Sequence, residues 1–463
     1  MLLPPALLPA LVGGFVVTFA VLPASRETFP YAAAVVALVT ALAIPLLLWA
    51  SGSVLWSRAP MRMPRLLLAI PWGGLVLFVL RAFNDRSLLT SATTDWRLGR
   101  SAEVGALLLL CTYLPAIVWG RDESPRFSRT RFAAFALLTL IAGIETIRIA
   151  PLPTIDVWTI QNAGATALEH FQNPYTTVTQ ADTGNLGDLT VPYVYPPTHA
   201  ILSLLGDLLG GDVRFTMLLA ILIAGLCLRD ITRRSGWPLP SFVLDAPVLL
   251  FWLTPKLFFI LEQGWIDPIQ LALFALSINA HLARRPMLTA ALLGLTVSSK
   301  QSMIWLIPMG AVMLQFGARQ WLVAAATGAA AAIPFALLDF TALRHAVIDF
   351  ELSLPPRPDA ITVNVWAARA YHIAIPGAVG TGLAALVTVL SSWFLRRRGV
   401  AGLGIAAAAT YLVFFAFNKW AFANYYFLVV GLCATAAATA FHAMPARASV
   451  QSAPEDKIRA SGT

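Results

Sequence analysis

One stretch of this chain carries the residue types that could do chemistry. From Pro151 it reads Pro-Leu-Pro-Thr-Ile-Asp156, then an amphipathic run through Asn162, Glu169 and His170, then Asn173-Pro174-Tyr175 and Tyr193-Val-Tyr195-Pro196-Pro197-Thr-His199. It is the longest polar interval between apolar segments, and a carboxylate held in such a loop can serve as a general base. Asp156 starts a helical pattern in which Val157, Ile160, Gly164, Leu168 and Phe171 share one face, leaving Asp156, Asn162, Glu169 and His170 off it. That pattern predicts a helix lying along the membrane surface. An acid at its start also suits the helix dipole and could be a plain N-cap. Two lysines, Lys300 and Lys419, stand where apolar runs end. A lysine there is costly unless it snorkels or binds an anion.

The elements that must position these residues are membrane helices. Hydrophobic residues make up 58% of the chain and charged residues 12%, and the mean hydropathy is +0.74, values that exclude an ordinary soluble protein. Spans are expected near 6–23, 31–50, 66–82, 103–120, 132–149, 213–228, 241–261, 267–283, 287–299, 301–317, 320–338, 373–395, 400–417 and 422–441. That is an all-α polytopic bundle of about fourteen helices. The run from Ala6 to Pro23 has no Lys or Arg before it and is read as a retained helix, not a cleaved signal. The segment 198–209 is too short to cross and is expected to be re-entrant or interfacial.

The net charge of +9 comes from arginines clustered between spans, such as Arg126, Arg129 and Arg131, Arg284 and Arg285, and Arg396 to Arg398. Such clusters set topology and do not call for nucleic acid. They place both termini in the cytoplasm and the loops 151–199 and 339–372 on the outer face of a cell membrane. Cys111, Cys227 and Cys433 each lie in an apolar run, so no disulfide framework is expected. The division is then 1–131, additional N-terminal helices; 132–441, a core with the two outer loops; and 442–463, a disordered cytoplasmic tail.

A span, an Asp opening an outer helix, Asn173-Pro174-Tyr175, and Tyr193-x-Tyr195-Pro196-Pro197 leading back into apolar sequence together resemble the first outer loop of the GT-C glycosyltransferases. Gln263-Gly-Trp265-Ile-Asp267 at the start of one span and Gly294-Leu-x-x-x-x-Lys300 at the end of another make the chain most similar to glycosyltransferase family 87, the polyprenyl-phosphate-mannose-dependent mannosyltransferases. The resemblance covers about 132–441 and leaves the four spans before it outside the pattern.

The resemblance implies a GT-C-like fold, a polyprenyl-phosphate sugar donor reached from the bilayer, and a glycan or glycolipid acceptor reached from outside. It implies Asp156 as the base, since the leaving phosphate is a stable anion and needs no acid. Lys300, Lys419 and Arg344 become candidates for the donor phosphate, although Arg344, next to His345, could equally be a solvated loop residue. Asn162, Tyr175, Tyr193, Tyr195, His199, Gln263, Trp265, Asp267 and Gln301 become candidates for substrate contact. Interface aromatics are commonly belt anchors, and a lone His at a helix start is commonly structural. No cofactor is implied, and a metal is not expected. The segment ending in Lys300 lacks the second glycine of a phosphate-binding P-loop, and neither Asp-x-Asp nor a paired-His motif occurs. The alternative function is a secondary transporter or flippase of lipid-linked sugars, which predicts ionisable residues at mid-span and symmetry between halves. Asp245 and Lys256 are the main mid-span candidates.

Overall fold

The computed structural model describes residues 97–119, 123–153, 155–182, 188–254 and 256–443, with residues 2–3, 61–62 and 76. The spans expected near 6–23, 31–50 and, apart from Val76, 66–82, and the tail after residue 443, lie outside the described residues.

The described residues are mainly helical. Helices α1 (Arg97–Cys111) and α2 (Leu114–Trp119) form one apolar rod, and α3 (Pro125–Ile149) follows. Pro125 at its first turn and the Ser124 hydroxyl, which accepts from the Phe127 N–H at 3.2 Å, explain why α3 begins seven residues before its apolar run. Next come α4 (Asp156–Glu169), a 3-10 turn at Pro174–Thr176, an antiparallel ribbon of Val178–Asp182 against Asp188–Pro192, and α5 (Pro197–Gly210). Fourteen residues rise only about 21 Å, short of the hydrocarbon thickness. Gly211 ends α5 with φ +72, a backbone conformation that favours glycine.

The chain continues through α6 (Arg214–Arg233), α7 (Ser241–Trp252), α8 (Leu257–Glu262), α9 (Asp267–Leu282) and α10 (Pro286–Ser299). Then come α11 (Leu306–Met313), α12 (Ala318–Ala330), α13 (Ile333–Arg344), α14 (Phe350–Ser353) and α15 (Val363–Tyr371), and finally α16 (Gly377–Leu395), α17 (Gly399–Ala416) and α18 (Ala423–Thr439).

Among the described residues five helical stretches are long and apolar enough to cross a membrane, or six if the bent pair α12 and α13–α14 counts as one span. The longest, Gly377–Ala416, doubles back: Thr388 bonds Thr410 across it at 3.3 Å, so α16 and α17 form an antiparallel hairpin turning at Arg396–Arg398. Several expected spans are broken. The run 241–261 divides into α7 and α8 around Lys256, whose φ is +67. Between α10 and a 3-10 turn at Gln301–Trp305, Lys300 is extended, with φ −155 and ψ 138. Helices α12 and α13 meet at 62°. The expected loop 339–372 is largely helical, through the end of α13, a π turn at His345–Asp349, α14 and α15.

Close helix approach relies on small residues. A Cβ on Gly294 would collide with the Ala324 carbonyl, and the Thr327 hydroxyl reaches the Ala291 carbonyl at 3.1 Å, locking α10 to α12. Helix α18 is enclosed by α6, α7, α9 and α17.

The arginine-rich end holds a buried polar knot. Arg131, 2% exposed, pairs bidentately with Glu123 at 2.6 and 2.8 Å and stacks on Tyr113 at 3.3 Å from its centroid. The Tyr113 hydroxyl donates to Asp245 at 2.7 Å, and Asp245 also takes Arg229 at 2.7 Å. The acid singled out as a mid-span candidate is thus neutralised within a knot joining four helices, which suits a structural clamp.

Candidate functional site

At the other ends of these helices lies a cavity of about 720 Å³. It forms where the entry to α4, the turn before α5, the α8–α9 and α10–α11 junctions, the segment after α14, and the α17–α18 turn converge. Of the residues singled out from sequence, Asp156, Tyr195, Trp265, Lys300, Gln301 and Lys419 line it.

Asp156 is the first residue of α4, not its cap: Ile155 takes the cap position in extended conformation. The Asp156 Oδ1 accepts from the Val157 N–H at 2.8 Å, and the half-buried side chain borders the cavity. A carboxylate in a first turn interacts favourably with the helix dipole, and it is a group that can accept a proton. Beside it stands Tyr195, packed edge-on to Tyr193 at 5.8 Å and to His199 at 5.0 Å. Burial, then the Asp156 and Glu351 carboxylates, hold the Tyr195 hydroxyl well above its usual pKa, so it stays protonated.

Lys300 is 8% exposed, and its Nζ donates to Asp267 Oδ1 at 2.7 Å and lies 4.4 Å from the centre of the Tyr425 ring. The second Asp267 oxygen accepts from Asn424 at 2.7 Å. The extended backbone at Lys300 breaks the helix there and brings the ammonium to the cavity. Asp267, fully buried at the first turn of α9, anchors it from behind. Gln301 bridges the Val194 and Val347 carbonyls at 2.8 and 3.1 Å. Lys419 donates to the carbonyls of Glu351 at 2.7 Å, Leu352 at 3.3 Å and Leu354 at 2.7 Å. Burial lowers its pKa from the usual lysine range, and Glu351 opposes that shift.

The other candidates lie off the cavity. Arg344 points outward and pairs with Asp349 at 3.3 Å, its side chain 61% exposed. Tyr175 is buried, its hydroxyl donating to the Tyr195 carbonyl at 2.9 Å, and Tyr193 fills the space left by Gly164. Both support the loop. Asn162 is half-buried on α4, and Gln263 is buried with its amide on Glu262 at 3.1 Å.

His199 is fully buried under the cavity. Its Nε2 lies 2.9 Å from Gln161 Oε1, and the Gln161 amide donates to the Gly264 carbonyl at 2.6 Å. Because that amide faces carbonyls, Oε1 is the acceptor and His199 Nε2 carries the proton. Burial, then Lys300, push its pKa down to about 3. The folded protein therefore binds fewer protons than the unfolded one once pH falls below the ordinary histidine value of about 6.5. Stability contributed by neutral His199 is full above that value and is lost towards the folded pKa. At pH 5 the cost is roughly 2 kcal/mol. The melting temperature of purified protein should therefore fall between pH 7 and pH 5, and His199→Gln should flatten that slope. An unchanged slope in the variant would clear His199 of the effect.

Glu351, Arg357, Asn418, Asn424 and Tyr425 also border the cavity. Arg357 is held bidentately by Asp359 at 2.9 and 3.0 Å. Among these, Glu351 had no sequence signal separating it from Asp339, Asp349 and Asp359 in the same segment. Phe259, Trp305, Phe414 and Phe422 add apolar surface to the lining, as does Ile304, 57% exposed. Among the described residues no group of three or more His, Cys, Asp or Glu side chains is placed to hold a metal.

A scan against protein-family models finds no match to this chain, and a search of curated proteins finds none significantly similar to it.

Proposed function

We propose that this protein is a membrane-embedded inverting glycosyltransferase that moves a sugar, mannose by family resemblance, from a polyprenyl phosphate to a glycan or glycolipid acceptor on the outer face of the membrane. The observation that carries the reading is one cavity whose lining combines Asp156, Lys300 and Lys419 with four aromatic rings and an exposed isoleucine. A lipid-linked sugar phosphate combines the same polar and apolar chemistry. About 720 Å³ also suits a sugar and its phosphate with the first part of a lipid chain.

In this reading the acceptor hydroxyl oxygen attacks the anomeric carbon from the face opposite the phosphate, and Asp156 takes the hydroxyl proton. The bond from the anomeric carbon to the phosphate oxygen breaks, its electron pair leaving with polyprenyl phosphate. Lys300 places positive charge where negative charge grows on the leaving group, and Asp267 fixes the ammonium so that no reorganisation is needed. Lys419 spends its N–H groups on carbonyls and contributes charge from a distance.

The test is to reconstitute purified protein in lipid vesicles with a mannosyl polyprenyl phosphate in the outer leaflet. Release of the sugar to water or to an added glycan acceptor supports the enzyme. Movement of the intact lipid-linked sugar between leaflets, with no bond cleaved, would instead favour the transporter.

A further inference from the structure

We propose that Glu351 is a second working carboxylate of this cavity, one that binds paired hydroxyls of the transferred sugar, and that Lys419 is its positioning residue. The proposal rests on the glycosyltransferase reading and adds a role that the search for a base does not supply. Departure of a phosphate needs no general acid, so a second carboxylate in the cavity has no proton to deliver.

Three observations converge. Glu351 lines the cavity and is only partly exposed, yet among the described residues its carboxylate makes no hydrogen bond and no salt bridge. The other acids around it are tied: Asp359 to Arg357, and Asp267 to Lys300 and Asn424. A half-buried carboxylate that feels the charges of Lys419 and Lys300 but has no hydrogen-bond donor on it loses hydration that a ligand bearing hydroxyl donors would replace.

Next, the backbone that carries Glu351 is clamped. Lys419 Nζ holds the carbonyls of Glu351, Leu352 and Leu354, and Trp420 Nε1 donates to the Pro355 carbonyl at 2.6 Å. A little further on, the Arg357 N–H pairs with the Lys419 carbonyl at 3.2 Å and the Ile361 N–H with the Ala421 carbonyl at 2.7 Å. A solvated surface glutamate would need no such frame.

Finally, Glu351, Asp156 and Tyr195 line the same cavity, both carboxylates act on the Tyr195 hydroxyl, and the Lys419 ammonium sits on the Glu351 carbonyl at 2.7 Å. The sugar carried by a phosphate near these cations is therefore the group within reach. Two carboxylate oxygens match a pair of neighbouring ring hydroxyls, each hydroxyl donating to one oxygen.

The experiment compares wild type, Glu351→Ala, Glu351→Gln and Lys419→Met in transfer from mannosyl polyprenyl phosphate, with a deoxy-mannosyl donor beside it. Glu351→Ala should raise the donor KM by about tenfold or more, with a smaller effect on kcat, since removing a charged acceptor from a bound hydroxyl is worth that much. Glu351→Gln, which keeps one acceptor oxygen, should recover part of the loss. With one deoxy donor the wild type should drop to the level of the alanine variant and the variant should lose little more. Lys419→Met should raise the same KM and leave the pH profile of kcat unchanged. Equal donor KM in Glu351→Ala and an active wild type would overturn the assignment of Glu351 and leave the enzyme reading standing. A wild type that cleaves no lipid-phosphate sugar would overturn both.

Discussion

Asp156→Asn should lower kcat for sugar transfer by about 10²–10⁴-fold, the usual worth of a positioned base, and leave the donor KM close to that of the wild type. The substitution is a clean one. Asn keeps an Oδ1 to accept from the Val157 N–H, so the start of α4 is retained, while the group that takes a proton is lost. A melting temperature equal to that of the wild type is part of the expected result. Activity surviving within about threefold would move the base elsewhere, since a base contributes far more than that.

Asp267→Asn should destabilise the protein by about 3–5 kcal/mol, because it strands the Lys300 ammonium in a buried site without its counter-charge. The Asn424 amide, which donates to the other Asp267 oxygen, would lose its charged acceptor as well. Removing both charges, as Asp267→Asn with Lys300→Met, should restore much of the stability, and the donor should still bind weakly for want of the cation. Thermal unfolding in detergent reads the first effect and donor titration the second. A single variant as stable as the wild type would mean that Lys300 finds water or another partner, and that the ion pair does not hold the α10 break in place.

These two residues illustrate what was legible in the sequence. Lys300 drew attention as a lysine at the end of an apolar run, and the structure places it at the cavity with Asp156, Tyr195, Trp265, Gln301 and Lys419. Polar groups at the membrane boundary are selected against unless used, so their type and position survive as a signal. What they touch does not. A lysine that snorkels, one that pairs with an aspartate 33 residues earlier, and one that caps three carbonyls are the same letter beside the same apolar run. Arg344 looked like an outer-face cation at the site, and the π turn after it leaves it exposed beside Asp349, off the cavity. Glu351 was missed for the opposite reason, since its value lies in having no hydrogen-bond partner among the described residues. His199 drew attention as a lone histidine at a helix start, while the residue that fixes it, Gln161, carries no mark in the sequence.

Helix positions were read from hydropathy, and where spans broke, the cause was local. Lys256 with positive φ, extended Lys300 and the bend between α12 and α13 interrupt runs whose apolar character continues through the break. A hydropathy window averages over such residues and sees one span.

The central claim is that one carboxylate drives displacement of a lipid phosphate from a sugar. The measurement that reads it most directly is the anomeric configuration of the product, followed by NMR, when purified protein is given a mannosyl polyprenyl phosphate of known configuration and a glycan acceptor. The account predicts a new glycosidic bond of opposite configuration, with one polyprenyl phosphate released for each sugar transferred. Retention of configuration would require a covalent sugar intermediate on a second carboxylate, and no release of lipid phosphate would leave no transfer at all; either result would contradict the account.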